Sequence, residues 1–308
     1  MCDKENSSKT NKNNVNAQLV IEKPSCCNQI KEAITSCCTE KNEENEKLKT
    51  LVKEGYSKIS NQSKTENEQS LCGISGSCCV DFSIFAEDYS KLDGYCESAD
   101  LGLGCGVPTS SGKIKEGDIV LDLGSGAGND CFIARKLVGE KGKVIGLDMT
   151  PDMLRKAWLN TDTMGYNNVE FRLGEIEDMP ISDSVIDVVI SNCVINLVPD
   201  KTKAFKEIHR VLKKDGFFSI SDVVTTAPLP ETIKKAGGMY VGCVSGALVI
   251  DDYIKIINDA GFKFSIAKQK QIIIPDSVYL DYMNEKELQE YKDSNVKILS
   301  ITVVAQKQ

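Results

Sequence analysis

The residues of this 308-residue chain that stand out chemically are its cysteines, thirteen of them against a single histidine, His209. Three adjacent pairs, Cys26-Cys27, Cys37-Cys38 and Cys78-Cys79, lie near the start, and single cysteines such as Cys105, Cys193 and Cys243 follow. Thiolate is a strong nucleophile and a soft ligand. A disulfide framework belongs to oxidising compartments, and the two CxxC pairs of a common structural zinc site are absent. One histidine leaves little room for imidazole-based metal or acid–base chemistry. Adjacent cysteines rarely form a relaxed disulfide with each other but can chelate a thiophilic ion. The pattern therefore points to soft-ion binding or thiol redox work, with a tail of idle thiols as the alternative for the first two pairs.

The second chemical feature is the stretch 119–131, Ile-Val-Leu-Asp-Leu-Gly-Ser-Gly-Ala-Gly-Asn-Asp-Cys. Its apolar start reads as a buried parallel strand. Gly124, Gly126 and Gly128 then break it, and a helix is expected over 129–138. Glycine lets the backbone turn tightly and lets a ligand approach without a Cβ in the way, and the helix start offers free N–H groups. This is the nucleotide-binding turn of a doubly wound sheet. Its spacing is GxGxG rather than the dinucleotide GxGxxG, and it resembles the first motif of class I S-adenosylmethionine methyltransferases. Asp148, ending the next strand, can accept both ribose hydroxyls or serve as a charge at the start of the helix from Pro151. Asp122 lies inside an apolar strand, where it either orders the glycine turn or faces the cofactor. After the third strand, Ile176 can cover an adenine ring and Glu175 can accept from its amine, unless this is a solvated acidic loop.

These residues need a scaffold that brings them together. From residue 119 strands and helices alternate: strands at 119–124, 143–149, 168–173, 185–192 and 217–224, with helices between them. The helix at 200–213 is expected to end at Asp215-Gly216. Prolines, glycines and Cys243 interrupt the pattern over 226–248. A helix at 250–260, a strand at 263–274, a helix at 284–293 and a strand at 297–305 complete it. Alternation of this kind predicts an α/β fold with a largely parallel sheet. The resemblance of the glycine turn to class I methyltransferases implies their Rossmann-like sheet of seven strands, whose antiparallel seventh strand the last strands suit. Three regions are expected. Residues 1–70 form a polar, cysteine-bearing tail, mostly disordered or partly helical with a helix at 43–59, and dispensable for chemistry up to residue 60. Residues 71–225 hold two capture loops and the cofactor-binding core, and 226–308 hold a substrate-site insertion and the strands that complete the sheet. A net charge of −8 without a basic block argues against nucleic acid or anionic membrane as partner. No run approaches the roughly 18 apolar residues of a membrane helix and the first residues are polar, so a cytoplasmic location is expected.

In that scaffold Cys105 sits in a glycine-rich loop before the first strand, Cys193 ends the fourth, and Cys243 lies in the irregular segment after the fifth. All three are expected at the carboxyl edge of the sheet, above the cofactor. A single buried cysteine is commonly just a small hydrophobe; three over one edge are not so easily dismissed. The runs Ala-Asp-Leu-Gly-Leu-Gly-Cys-Gly, Leu-Asp-Leu-Gly-Ser-Gly-Ala-Gly-Asn-Asp-Cys-Phe, Gly-Leu-Asp-Met-Thr-Pro, Phe-Arg-Leu-Gly-Glu-Ile-Glu, Ser-Asn-Cys-Val-Ile-Asn-Leu and Gly-Cys-Val-Ser-Gly-Ala resemble the arsenite S-adenosylmethionine methyltransferases of the shorter microbial type, over roughly residues 71–305.

The resemblance implies that Cys105, Cys193 and Cys243 hold trivalent arsenic, that Cys78 and Cys79 assist capture or resolve a disulfide, and that Met149 and Asn192 join the cofactor site. The pairs at 26–27 and 37–38 fall outside the family pattern. Arsenic held by three thiolates is pyramidal and keeps a lone pair that can attack a sulfonium methyl in line, so no general base is required and catalysis is mostly positioning. The oxidised product then needs reduction by protein thiols or by an external thiol reductant, thioredoxin or glutathione. The enzyme is expected to act as a monomer. Two other readings compete: a small-molecule C- or O-methyltransferase of the ubiquinone or sterol kind, and a non-catalytic protein that sequesters metalloids.

Overall fold

The computed structural model describes residues 26–70, 87–235 and 243–308, with side chains from residue 42 onward except 68–70. The chain divides into two compact units, residues 1–44 and residues 45–308. The second carries the sheet and the candidate site. Cys78 and Cys79 fall outside the described residues, as do residues 236–242 of the irregular segment.

The sheet strands are β1 (Ile119–Leu123), β2 (Lys143–Asp148), β3 (Val169–Leu173), β4 (Ile186–Asn192), β5 (Leu212–Thr225), β6 (Phe262–Ile272) and β7 (Ile298–Lys307). They lie in the order β3-β2-β1-β4-β5-β7-β6. β1 to β5 pair in parallel, and β7 runs antiparallel to both β5 and β6. The expected seven-stranded doubly wound sheet is therefore what forms. β1 and β4 are neighbours although β2 and β3 intervene in sequence, so a switch point opens at their carboxyl ends, where such sheets bind ligands.

Alternation along the strands decides which helix covers which face. Val120, Val144, Val188 and Ile190 pack against α3 (Asn129–Val138) and α4 (Pro151–Met164). Leu121, Leu123, Val189, Phe218 and Ile220 pack against α5 (Lys201–Val211) and, further along the chain, the helix Ile250–Asp259. With period 2, one strand thus feeds two cores. Gly146 of β2 has no room for a Cβ, because the Phe171 ring would lie 2.4 Å from it.

Two elements differ from the sequence reading. The first helix, α1, spans Cys26–Ser60 rather than 43–59, and a short helix, α2 (Lys64–Ser70), follows it. The first part of α1 has little hydrophobic periodicity, and its four cysteines and two threonines have modest helix propensity, so nothing in the local sequence signalled the earlier start. Further, α5 ends at Val211 and β5 starts at once, so Asp215-Gly216 is not the helix stop. Asp215 instead takes a left-handed conformation (φ 62) where the β4–β5 register shifts, and the irregularity absorbs residues the helix was expected to use.

Candidate functional site

A cleft opens at the switch point. Its floor is the glycine turn, which bends at Gly124 (φ 66) and Gly126 (φ 51). Both line the cleft. A Cβ on Gly126 would meet only Met153 Sδ at 3.9 Å, so the space beside it belongs to the cleft. Gly128 differs: a Cβ there would come within 3.0 Å of the rings of Phe132 and Phe171, so this glycine serves helix–sheet packing. Asp148 shapes the turn, since its carboxylate accepts from Gly126 N at 3.0 Å and Thr150 N at 2.7 Å. Burial still holds its pKa above the ordinary carboxylate range, against those hydrogen bonds. Asp122, buried in β1, accepts the Cys131 thiol at 3.2 Å. Desolvation, with the Asp130 charge adding to it, pushes its pKa well up.

Of the three single cysteines, Cys193 and Cys243 line the cleft and Cys105 does not. Cys105, Cys193 and Cys243 are all buried and belong to one cluster with Val223 and Val244. Burial first, and the neighbouring Cys105 and Cys243 next, push the Cys193 thiol well above the ordinary range. The Cys105 thiol is raised too, by burial. Cys243 Sγ donates to the carbonyl of Cys193 at 2.7 Å. The three thiols share one cluster, but among the described residues no three His, Cys, Asp or Glu side chains already form a group able to hold a metal ion. Cys193 (φ 61) and Cys243 (φ 63) both take left-handed backbone conformations. Non-glycine residues adopt these rarely and at a cost, typically where function fixes a side-chain direction. The sequence expectation that the three gather over one sheet edge matches this placement.

Holding them is a set of side chains that sequence reasoning missed or misread. Asn192 was expected to meet the cofactor. Although it lines the cleft, its amide is engaged by the protein: Oδ1 accepts from Cys105 N at 2.9 Å, while Nδ2 donates to Tyr89 OH at 2.8 Å and Gly106 O at 2.9 Å. Asn196 Nδ2 donates to Val223 O at 2.6 Å and Cys243 O at 3.2 Å, tying the Cys243 loop to β5. Glu175 was expected to receive adenine, but Lys49 and Lys53 of α1 hold its two oxygens at 2.7 and 3.4 Å. These contacts lower its pKa. Lys49 also reaches Glu177 at 2.8 Å. Met149 and Ile176 line the cleft as expected.

The wall opposite the sheet comes from the carboxyl-terminal half of α1. Lys49, Val52 and Tyr56 line the cleft. The buried Tyr56 phenol hydrogen-bonds Cys243 and lies near Cys193 and Asp148; burial first, and these groups next, drive its pKa up. Ser57 hydrogen-bonds Asp152 at the start of α4. The expectation that residues up to 60 are dispensable is thereby corrected for 45–60, which belong to the site. The spacing of Val52, Tyr56 and Ile59, one apolar stripe on a helix, was the available signal. Nothing in local sequence said which surface the stripe would meet.

The cleft suits S-adenosylmethionine. Ser125 Oγ and Asn129 Oδ1, both in its wall, have no hydrogen-bond partner among the described residues. Buried polar atoms without partners are costly, so these await a polar ligand. Asp148 oxygens keep lone pairs beyond the two backbone N–H groups, and the Gly126 surface accepts close approach.

The methyltransferase domain family model matches residues 114–273. The arsenite methyltransferase of Halobacterium salinarum is 38% identical over 85% of this chain and 67% of its own length. That of Aquipseudomonas alcaligenes is 36% identical over 59% of this chain, and the match spans 54% of that relative, about half. Among solved structures, the arsenic(III) S-adenosylmethionine methyltransferase of Chlamydomonas reinhardtii is 37% identical with a TM-score of 0.57, covering 67% of this chain and 68% of that one. Among the described residues, no helix is long and apolar enough to cross a membrane.

Proposed function

Because this chain belongs to the arsenite methyltransferase family, we propose that it transfers methyl groups from S-adenosylmethionine to thiolate-bound trivalent arsenic, first arsenite and then methylarsenite. The observation that carries the reading is the clustering of three buried thiols at a cleft fitted for that cofactor, two of them held on left-handed backbone. An ordinary C- or O-methyltransferase has no use for sulfur in those positions.

When bound, the cofactor supplies an activated sulfonium methyl. The protein's part is placement. Loading exchanges each As–OH for an As–S bond, the thiol proton leaving with hydroxide as water, so the raised thiol pKa values do not block it. Cys193, between the other two thiols, is the centre of the ligand set. Asn192 fixes the Cys105 loop and Asn196 the Cys243 loop, so both outer sulfurs are held from β4 and its extension. α1 covers the cleft, which excludes water and leaves the reactants in a fixed relation. Reduction of the oxidised product falls to a thiol reductant, thioredoxin or glutathione, with Cys78-Cys79 as the resolving pair, and the enzyme works as a monomer in the cytoplasm.

The test is product speciation after incubation with arsenite, S-adenosylmethionine and a thiol. Methylated arsenicals in amounts exceeding the enzyme are expected. Arsenite retention without any methylated species would overturn the reading in favour of sequestration.

A further inference from the structure

Asp130, in the first turn of α3, puts a carboxylate in the cleft wall. Its hydrogen-bond partners are all neutral: Tyr89 OH at 3.2 and 3.3 Å and Asn192 Nδ2 at 3.1 Å. No lysine or arginine is paired with it among the described residues. Burial pushes its pKa up to about 6, although the bonds from Asn192 and Tyr89 pull the other way. A carboxylate at a cavity wall with no cation of its own attracts one from the cavity.

The same two neutral partners hold the Cys105 loop. Tyr89 OH reaches Gly106 O at 2.7 Å, and Asn192 bonds Gly106 O and Cys105 N. The loop lies so close to the strands that a Cβ on Gly104 would fall 2.6 Å from Asn192 and one on Gly106 would fall 2.5 Å from Ser221. The single hydroxyl proton of Tyr89 and the two amide protons of Asn192 are thus shared between Asp130 and the carbonyl of Gly106. A ligand donor that satisfied Asp130 would leave them to the loop.

We propose that Asp130 receives the α-ammonium group of the cofactor and, through Tyr89 and Asn192, couples cofactor binding to the position of Cys105. The ammonium is the match because, of the cofactor's two cationic centres, only it carries N–H donors. Tyr89 and Asn192 are positioning residues in this scheme: they act through the loop. Coupling between sites is reciprocal, so arsenite and cofactor strengthen each other's binding. The proposal rests on the cofactor reading above.

The experiment uses the full chain and the non-reacting product S-adenosylhomocysteine, with its deaminated analogue as a second probe. Calorimetry reads their affinities. Arsenite affinity is read from thiolate–arsenic absorbance with and without S-adenosylhomocysteine. The wild type is expected to bind the deaminated analogue about tenfold or more weakly, as loss of a charge-assisted hydrogen bond implies. It is also expected to bind arsenite about fivefold or more tightly when S-adenosylhomocysteine is present. Asp130→Asn should bind both probes alike, and Tyr89→Phe should keep the discrimination but lose the arsenite coupling. Equal wild-type affinity for the two probes overturns the proposal and leaves the cofactor reading standing. Wild-type discrimination persisting in Asp130→Asn, or undiminished coupling in Tyr89→Phe, also overturns it. Absence of any S-adenosylhomocysteine binding to the wild type overturns the cofactor reading, and this proposal with it.

Discussion

Cys131 and the trio of Cys105, Cys193 and Cys243 are hidden from solvent to nearly the same degree, with exposures of 0%, 2%, 8% and 3%. What surrounds them differs. Cys131 sits within α3, among Phe132, Ala134 and Val120, with its thiol given to Asp122. Cys193 and Cys243 lie on left-handed residues, and both share one buried cluster with Cys105. Acidity does not separate the regions, since burial raises the pKa of both Cys131 and Cys193. Backbone placement does. In a helix the sulfur packs into the core; at a strand end it can be turned toward a ligand and toward other sulfurs. Cys96 is buried in the same cluster as Cys131, beside Ser98.

The sharpest way to break that contrast is to exchange sulfur for oxygen. Cys193→Ser should lower methylation of both arsenite and methylarsenite by about a hundredfold or more, since misplacement of about 1 Å is enough for that. Cys131→Ala should leave turnover within about twofold and cost stability, on the order of 1–2 kcal/mol for a small core truncation. Activity assays paired with denaturant melts decide it; equal activity loss in the two variants would erase the distinction. Gly126→Val comes next, predicted to abolish cofactor binding with arsenite binding intact, because the left-handed turn rejects a β-branched residue. Calorimetry with S-adenosylhomocysteine reads this outcome.

A finer division lies within the trio. Arsenite has three valences to fill with sulfur, and methylarsenite only two. Cys105→Ser should therefore lose arsenite as substrate yet still methylate methylarsenite, a split visible in product speciation for the two substrates. Equal loss on both would mean that Cys105 also serves the second step. Lys49→Ala, freeing Glu175 and the largely buried Glu177 from α1, should weaken S-adenosylhomocysteine binding by about tenfold, since removing one partner leaves a buried charge uncompensated.

A separate readout, stability against pH, concerns Asp222, buried in β5, to which Tyr253 OH donates at 3.3 Å. Burial raises its pKa from 3.8 to about 7. The folded state then binds this proton more tightly than the unfolded one, so the contribution is complete below about pH 4 and lost as pH rises through about 7. Asp222→Asn should flatten stability against pH across that window, measured by denaturant melts at fixed intervals. An unchanged slope would assign the dependence elsewhere.

Local patterns carried the layout: period-2 strands, helical stripes, the glycine turn and the antiparallel end are all written in neighbouring residues, because hydrogen bonding and burial along one element are set within a few positions. The sulfur chemistry was equally legible, since only thiolates suit a soft ion. Tertiary structure alone decided how those parts are used. It spent Asn192 on the Cys105 loop, gave Glu175 to Lys49, turned Gly128 toward Phe132, and made Tyr56 part of the wall. Each of these choices joins residues far apart in the chain, such as Asn192 and Cys105 at a separation of 87, or Lys49 and Glu175 at 126. A polar side chain takes whichever partner the packed fold sets within hydrogen-bond distance, and that partner is fixed by the closing of long loops rather than by anything in the residues beside it.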